Sequence, residues 1–389
     1  MTIRVIVVGA GILGLCAAAQ LAARGATVTV LDSDYPGSGA SGNSFAWVNC
    51  RMKRPHNYFN LNAEGVAAHK RLASEAEGDS RWWNPAGSIV LGYDDGLAAD
   101  HELELAKAWG CDLEWLTRQE IERLEPDLLL REDEHGGVLA PDDGYVYVAE
   151  LLGELRRRLA RAPQNEVRVG TPVRSVYSRN SRPVVEMEDG SSIDGDAVVV
   201  AAGRSTAGVL RETGFELPLV GTGEFADNGI QVQRQPLGLL GVTSKIPSSL
   251  RRMVVASDIQ FRPDGAGRVL VQSHPLELTL PSVMGSGWGT SQAATLLERL
   301  RQRLRGITGA CVEWKHGGFR VIPKDGMPVV GWVPDNPGVY CLVSHSGVTL
   351  GPILGEICAS EIVEGSRSPL IIGFEPDRFS SARKQVAHQ

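Results

Sequence analysis

The sequence predicts an α/β protein in two parts. One is a Rossmann-like part with a parallel sheet, and the other carries a mainly antiparallel sheet. Three observations predict this. Residues 3–14 read strand, glycine turn, helix; residues 196–203 form a second unbroken apolar strand ending in small residues; and residues 220–317 break into short strands separated by turn residues. Unbroken apolar strands are buried on both faces, as in parallel sheets, whereas successive short strands suit an antiparallel one.

The opening strand, 3–8, runs directly into Gly9-Ala10-Gly11-Ile12-Leu13-Gly14. Gly9 permits the tight turn, Gly11 lets the backbone approach a pyrophosphate, and Gly14 lets helix and strand pack closely. The helix N-terminus offers N–H groups and a positive dipole end to phosphates. Such glycine turns are common between strand and helix, so context decides. Here an alanine-rich helix at 15–24 ends at Gly25, and a strand at 27–31 ends at Asp32, followed by Ser33. An acid about 20 residues past the glycines can accept from a ribose diol.

Composition sets the outer limits. The chain has 389 residues, 43% hydrophobic and 22% charged, with 45 glycines, which suits a globular protein larger than one ordinary core. A net charge of −7 argues against nucleic acid or an anionic membrane as partner. Arg156-Arg157-Arg158 lies in a helical pattern and reads as a solvated face. The six cysteines show no ligand spacing and read as small buried hydrophobes in a reducing compartment. Without a leader pattern or an apolar run near the roughly 20 residues needed to span a bilayer, the expected location is cytoplasmic.

After Asp32 comes a long glycine- and serine-rich loop ending in Phe45-Ala46-Trp47-Val48, a run that solvent would not favour. A loop that starts beside a pyrophosphate and ends apolar can follow a cofactor from its phosphates to its ring system. At Gly39-Ala40-Ser41-Gly42-Asn43-Ser44 the sequence resembles the FAD-dependent amine oxidoreductases typified by D-amino acid oxidase, glycine oxidase and sarcosine oxidase. The resemblance implies that this loop passes the flavin, with Ser41, Gly42, Asn43 and Ser44 at the cofactor.

Further elements follow from periodicity and turn signals. Helices are expected at 55–75, 97–109 and 148–162, strands at 87–92, 137–140, 167–169 and 173–176, and a connecting region from 113 to 127. Residues 117–120 carry a capping-box pattern, and Asp189-Gly190 marks a hairpin between 184–187 and 192–194. Glu132-Asp133-Glu134-His135 reads as a solvated acidic loop, since no second histidine lies at a ligand spacing. By the resemblance, the backbone of Val173 touches the adenine, and Ala202 and Gly203 close a turn beside the pyrophosphate.

In the second part, strands are expected at 230–235, 239–242, 253–257, 259–262 and 268–272, a helix at 291–305 and a strand near 312–314. His274 lies just past a strand end. A lone histidine there is either structural or a site residue, and it is carried as a candidate.

Residues 317–331 resemble the family's Arg-Pro-x-Thr-x-Asp-Gly-x-Pro-x-Ile-Gly stretch through Arg320, Asp325, Gly326, Pro328 and Gly331. Val321 and Pro323 replace its proline and threonine. The resemblance implies that Arg320 grips a substrate carboxylate, for which a planar guanidinium fork is suited; a structural ion pair is the other reading. The strand, turn and helix from 338 to 364 look like the family's final flavin-facing turn. Ser346, Gly347, Val348 and Thr349 would there present a helix N-terminus to the flavin pyrimidine, and His345 and Ser346 add donors.

The expected division is 1–85, 141–220 and 318–389 for the FAD-binding part, and 86–140 and 221–317 for the substrate part. The expected activity is oxidation of a C–N bond in an amino acid or N-substituted amino acid. Hydride passes to flavin N5 and the imine then hydrolyses, with oxygen or a respiratory carrier as electron acceptor. A flavin-dependent hydroxylase and a non-catalytic flavin-binding subunit of a larger dehydrogenase are the alternatives. FAD is expected to be non-covalent, since no cysteine lies between Trp314 and Tyr340, where the sarcosine oxidases attach it.

Overall fold

The strand Arg4–Val8 lies inside a six-stranded sheet, flanked by Ala197–Val200 and Thr27–Leu31 in parallel register, Val5 facing Ala197 and Val28. The structure is a computed structural model and describes residues 2–51, 53–76, 82–91, 104–221, 236–280 and 289–380. Outward from the centre, Glu166–Arg168 extends the sheet on one side. On the other side come Val339–Val343 and then the edge strand Val329–Trp332, the one antiparallel member. The apolar run expected at 196–203 is therefore central, and its four strand residues are buried.

Helix Ile12–Ala23 is buried on nearly every side. The absence of a polar face has a physical reason. One side lies on the sheet and another on helix Gly347–Ala359, which is itself almost wholly buried. Gly351 and Gly355 let the two helices approach closely: a Cβ there would lie 3.1 Å from Ile12 Cγ1 and 2.7 Å from the Cys16 backbone. Helix His56–Ser74 packs on the same C-terminal helix and Val148–Leu159 on Ile12–Ala23.

The second sheet has eight strands in the order Val312–Phe319, Leu237–Thr243, Val269–Gln272, Gln260–Pro263, Met253–Val255, Ser88–Val90, Gly136–Ala140, Glu114–Thr117. All neighbours are antiparallel except Met253–Val255 with Ser88–Val90. Helix Thr290–Arg301 covers it with Leu296, Leu297 and Leu300. The last strand runs five residues beyond expectation, to Phe319, so Arg320 is the first residue past the antiparallel sheet. The strand expected at 230–235 and most of the helix expected at 97–109 lie outside the described residues; 104–108 are helical.

Several local expectations hold. Val185 pairs with Ile193 in the hairpin, and Thr117 and Glu120 form both bonds of a capping box. The acidic loop needs correction. Glu134 is buried, and with Asp258 it brackets Arg303, which is itself fully buried, at 2.6 and 2.8 Å. A buried guanidinium requires such partners, and the sequence places Arg303 too far away to show the pairing. Among the described residues no acid or histidine cluster has metal-site geometry, and no helix is long and apolar enough to cross a membrane.

Candidate active site

A cavity of about 910 Å3 begins at Asp32, passes the glycine turn and ends against the antiparallel sheet. At its first end the backbone is the building material. Gly9 has φ +108°, and a Cβ there would lie 2.4 Å from the Ala201 carbonyl oxygen; at Gly14 a Cβ would lie 1.9 Å from that of Gly9. Neither position admits a side chain. Asp32 Oδ2 accepts from Ala10 N–H at 2.6 Å and Oδ1 from Asp34 N–H at 2.9 Å. Its carboxylate is thus aimed across the turn, with lone pairs remaining for a ribose diol. Ser33, Val173, Ala202 and Gly203 line the same end.

The loop after Asp32 wraps the cavity. Ser41 Oγ accepts from Ile12 N–H at 3.0 Å, tying the loop to the first turn of the helix, and Asn43 Nδ2 donates to the Gly39 carbonyl at 2.9 Å. Phe45 carries the loop into the core, where buried Arg262 donates to its carbonyl at 2.9 Å. Of the eighteen cofactor positions expected, Gly14 and Gly42 do not face the cavity. Gly14 packs on Gly9, and Gly42 packs on Gly37 and donates to its carbonyl; Gly11, Ile12, Leu13 and Ser44 line the cavity with the others.

Midway along the cavity stands the N-terminus of helix Gly347–Ala359. Its first intrahelical bond is Leu350 N–H to the Ser346 carbonyl, so the N–H groups of Gly347, Val348 and Thr349 precede the ladder. Ser346 Oγ is 3.1 Å from Lys53 Nζ and 2.8 Å from Tyr58 Oη, and His345 lines the cavity beside it. Thr349 Oγ1 donates to the Trp47 carbonyl at 3.2 Å, and His69 Nε2–H donates to the Val348 carbonyl at 2.8 Å. Burial pushes the His69 imidazole down to about 4, against the pull of that bond.

The far end is made of side chains. Arg320 and His274 both line the cavity, and behind them lies Glu277, 3% exposed. Glu277 Oε1 and Oε2 are 2.8 and 2.9 Å from Arg320 Nη2, Oε2 accepts from His274 Nδ1 at 2.9 Å, and Oε1 from Leu239 N–H at 3.0 Å. Burial alone would raise the Glu277 carboxyl, but the Arg320 charge and the His274 bond outweigh it and hold it at about 2. Across the cavity, Arg51 is 4% exposed. Its Nε donates to Asp143 Oδ2 at 3.2 Å, and its guanidinium lies 4.7 Å from the Trp47 ring centroid. Asp143 Oδ2 also accepts from Trp47 Nε1 and Ser88 Oγ, so Arg51 is held by a built network.

Sequence reasoning brought His274, Arg320, His345 and the helix turn to one cavity but missed Arg51, Lys53 and Glu277. A signal for the first two was the basic run Arg51-Met52-Lys53-Arg54 directly after the loop. For Glu277 it was the His274-x-x-Glu277 spacing, one helical turn. The cysteine reading also needs revision. Cys16, Cys341 and Cys358 are buried as expected, whereas Cys311 is exposed and the Cys50 and Cys111 sulfurs lie 3.5 Å apart.

The residues fit FAD. A turn that would collide with any side chain at Gly9 leaves backbone room for a pyrophosphate, Asp32 would be placed to accept from a ribose, and a second helix N-terminus stands further along one continuous cavity. The volume is near the top of the roughly 300–1,000 Å3 usual for ligand sites. Among the described residues no cysteine lines the cavity.

Comparison with known proteins agrees. The chain is 28% identical to the tRNA 5-methylaminomethyl-2-thiouridine biosynthesis bifunctional protein of Thiobacillus denitrificans, over 98% of this chain but 60% of that protein's length. It is 23% identical to a glycine oxidase of Bacillus licheniformis, over 99% of this chain and 98% of the relative. The crystal structure of glycine oxidase from Geobacillus kaustophilus superimposes with a TM-score of 0.81 at 23% identity, covering 97% and 99% of the two chains, which shows the shared fold. A family model for FAD dependent oxidoreductases matches residues 4–361. With that match laid over the glycine turn, Asp32 and the helix Gly347–Ala359, the chain belongs to the FAD-dependent oxidoreductase (DAO) family and has FAD as its cofactor.

Proposed function

We propose that this protein oxidises the C–N bond of an amino acid or N-substituted amino acid, giving an imine that water hydrolyses to an oxo acid or aldehyde and ammonia or an amine. The observation that carries the reading is the distribution of charge along the cavity. Its lining acids, Asp32 and Glu188, sit near Val173 and Pro172 at the ribose end, whereas Arg51, Lys53 and Arg320 line the end toward the antiparallel sheet. A cavity end with guanidinium donors and no lining carboxylate selects an anionic substrate, and an amino acid carries its carboxylate one carbon from the bond to be oxidised.

Bound FAD supplies the hydride acceptor. The chain's own task is placement and exclusion of water. Arg320, held from behind by Glu277, takes the carboxylate and orients the Cα–H bond. The N-terminus of helix Gly347–Ala359 favours negative charge that develops on the ring system. Lys53 reinforces it through Ser346. Trp47 and Phe319 supply apolar wall. The electron acceptor is oxygen or a respiratory carrier.

The test is product chemistry. Incubation with D-amino acids, glycine, sarcosine and longer N-methyl amino acids should yield ammonia, methylamine or formaldehyde from at least one, and amines lacking a carboxylate should react far more slowly. Equal turnover of carboxylate-free amines would remove the amino-acid assignment.

A further inference from the structure

Resting on the proposed oxidation, we infer that His274 accepts the proton from the substrate's ammonium group, and that Glu277 is the positioning residue that keeps its accepting nitrogen turned to the cavity. An amino acid at neutral pH is an ammonium, and its nitrogen lone pair is needed before a C=N bond can form. Some group must take that proton, and the chain places one imidazole where Arg320 would hold the substrate.

The geometry assigns the tautomer. His274 opens the short helix His274–Glu277, with Ser273 Oγ capping it by accepting from Leu276 N–H at 3.3 Å. Its Nδ1 lies 2.9 Å from Glu277 Oε2. A carboxylate that stays ionised to about pH 2 is an acceptor only, so Nδ1 carries the hydrogen and Nε2 keeps its lone pair. Among the described residues Nε2 has no protein partner. Glu277 does not line the cavity and His274 does, so the carboxylate lies behind the ring and Nε2 is the nitrogen left for a ligand. The same carboxylate holds Arg320, which sets the carboxylate anchor and the proton acceptor in one rigid frame.

The step balances simply. The substrate N–H bond breaks with its electron pair left on nitrogen, and a bond forms between that proton and the Nε2 lone pair. The product is a neutral amine and an imidazolium whose Nδ1–H remains on the Glu277 carboxylate. The ring, 37% exposed, then returns the proton to solvent. The charged groups facing the ring are the Glu277 carboxylate and, from the end of strand Val312–Phe319, the Arg320 guanidinium. The neighbouring strand Leu237–Thr243 contributes no titratable side chain.

Two measurements on the FAD-loaded protein decide the matter. Nitrogen-correlated NMR, with the His274 signals assigned by their loss in His274→Gln, should show Nδ1–H and a bare Nε2; a hydrogen on Nε2 overturns the inference without reference to any substrate. Single-turnover flavin bleaching by the best amino-acid substrate should then be about 10²-fold slower in His274→Gln at neutral pH. That deficit should shrink as the pH rises toward the substrate amine's own pKa, with substrate affinity changed little. Glu277→Gln, which keeps the shape but not the charge, should move the same pH limb while retaining FAD. Wild-type bleaching that His274→Gln reproduces at every pH overturns this inference alone. Wild-type flavin that no amine bleaches overturns the proposed function as well.

Discussion

The two ends of the cavity are built by different means. At the end beside Asp32 the walls come mainly from backbone: a left-handed glycine, the N-terminus of helix Ile12–Ala23 and carbonyls that leave no room for a Cβ. At the other end they come from side chains of widely separated segments. Arg51 follows the loop, His274 and Glu277 share one turn of helix, and Arg320 leaves the last strand. Two guanidiniums there are backed by buried acids, Asp143 behind Arg51 and Glu277 behind Arg320. A cofactor shared by a whole family suits a rigid backbone mould. A substrate that varies from member to member suits side chains, which substitution can change without disturbing the sheet.

If the division is real, damage at one end should spare the other. The largest effect is expected from Gly9→Ala. Its Cβ would sit 2.4 Å from the Ala201 carbonyl oxygen in a left-handed conformation, so strain and clash of about 3 kcal/mol should weaken FAD binding roughly 10²-fold. The protein should purify with little yellow colour, as read from flavin absorbance per chain. Retained stoichiometric flavin would mean the turn is not the anchor.

The helix Gly347–Ala359 should also show an acid limit of comparable size, through His69 on its Val348 carbonyl. The His69 imidazole protonates near 6.5 when unfolded, but burial keeps it neutral in the fold down to about 4. Between those values the unfolded chain binds more protons. Stability therefore falls as pH falls through that window and levels off below it, a loss of about 3 kcal/mol. Urea unfolding at pH 7 and pH 4.5 should show the loss in the wild type and not in His69→Gln; an identical loss in both would assign it to other groups.

At the substrate end, Arg320→Ala removes charge-assisted bonds worth about 1.5–3 kcal/mol, so KM for carboxylate substrates should rise roughly 10- to 100-fold. Flavin content should not change. Arg320→Lys keeps Glu277 paired and should give an intermediate value, whereas an unchanged KM in both would leave Arg320 a purely structural partner. The smallest effect is expected from Gly238→Ala. A Cβ there would lie 3.0 Å from Arg320 Cζ, shifting a guanidinium that Glu277 holds in place. KM should rise about threefold, near 0.7 kcal/mol, with FAD again unaffected; loss of flavin instead would show the two ends to be coupled.

The same contrast explains what was legible in the sequence. Gly9, Gly14 and Asp32 announce themselves because covalent geometry and spacing restrict those positions. The central strand Ala197–Val200 does so because burial on both faces leaves an unbroken apolar run. Arg51, Glu277 and Asp143 are marked far more weakly. An arginine, a glutamate or an aspartate is ordinary on a surface, and only long-range packing turns these three inward. Glu134 was misread for the same reason, since its partner Arg303 lies 169 residues away along the chain. The extra length of the strand Val312–Phe319 includes Gly317 and Gly318, which pair with Leu239 and Gly238 although glycine carries no strand signal of its own.

The central claim is that this cavity brings an amine of an amino acid to FAD. Anaerobic mixing of the purified yellow protein with glycine, sarcosine, D-amino acids and longer N-methyl amino acids tests it most directly, through the flavin absorbance band. At least one of these should bleach the band without NADPH, and carboxylate-free analogues should bleach it far more slowly. A band that every amine leaves intact, while NADPH alone reduces it, would contradict the account and point to a hydroxylase.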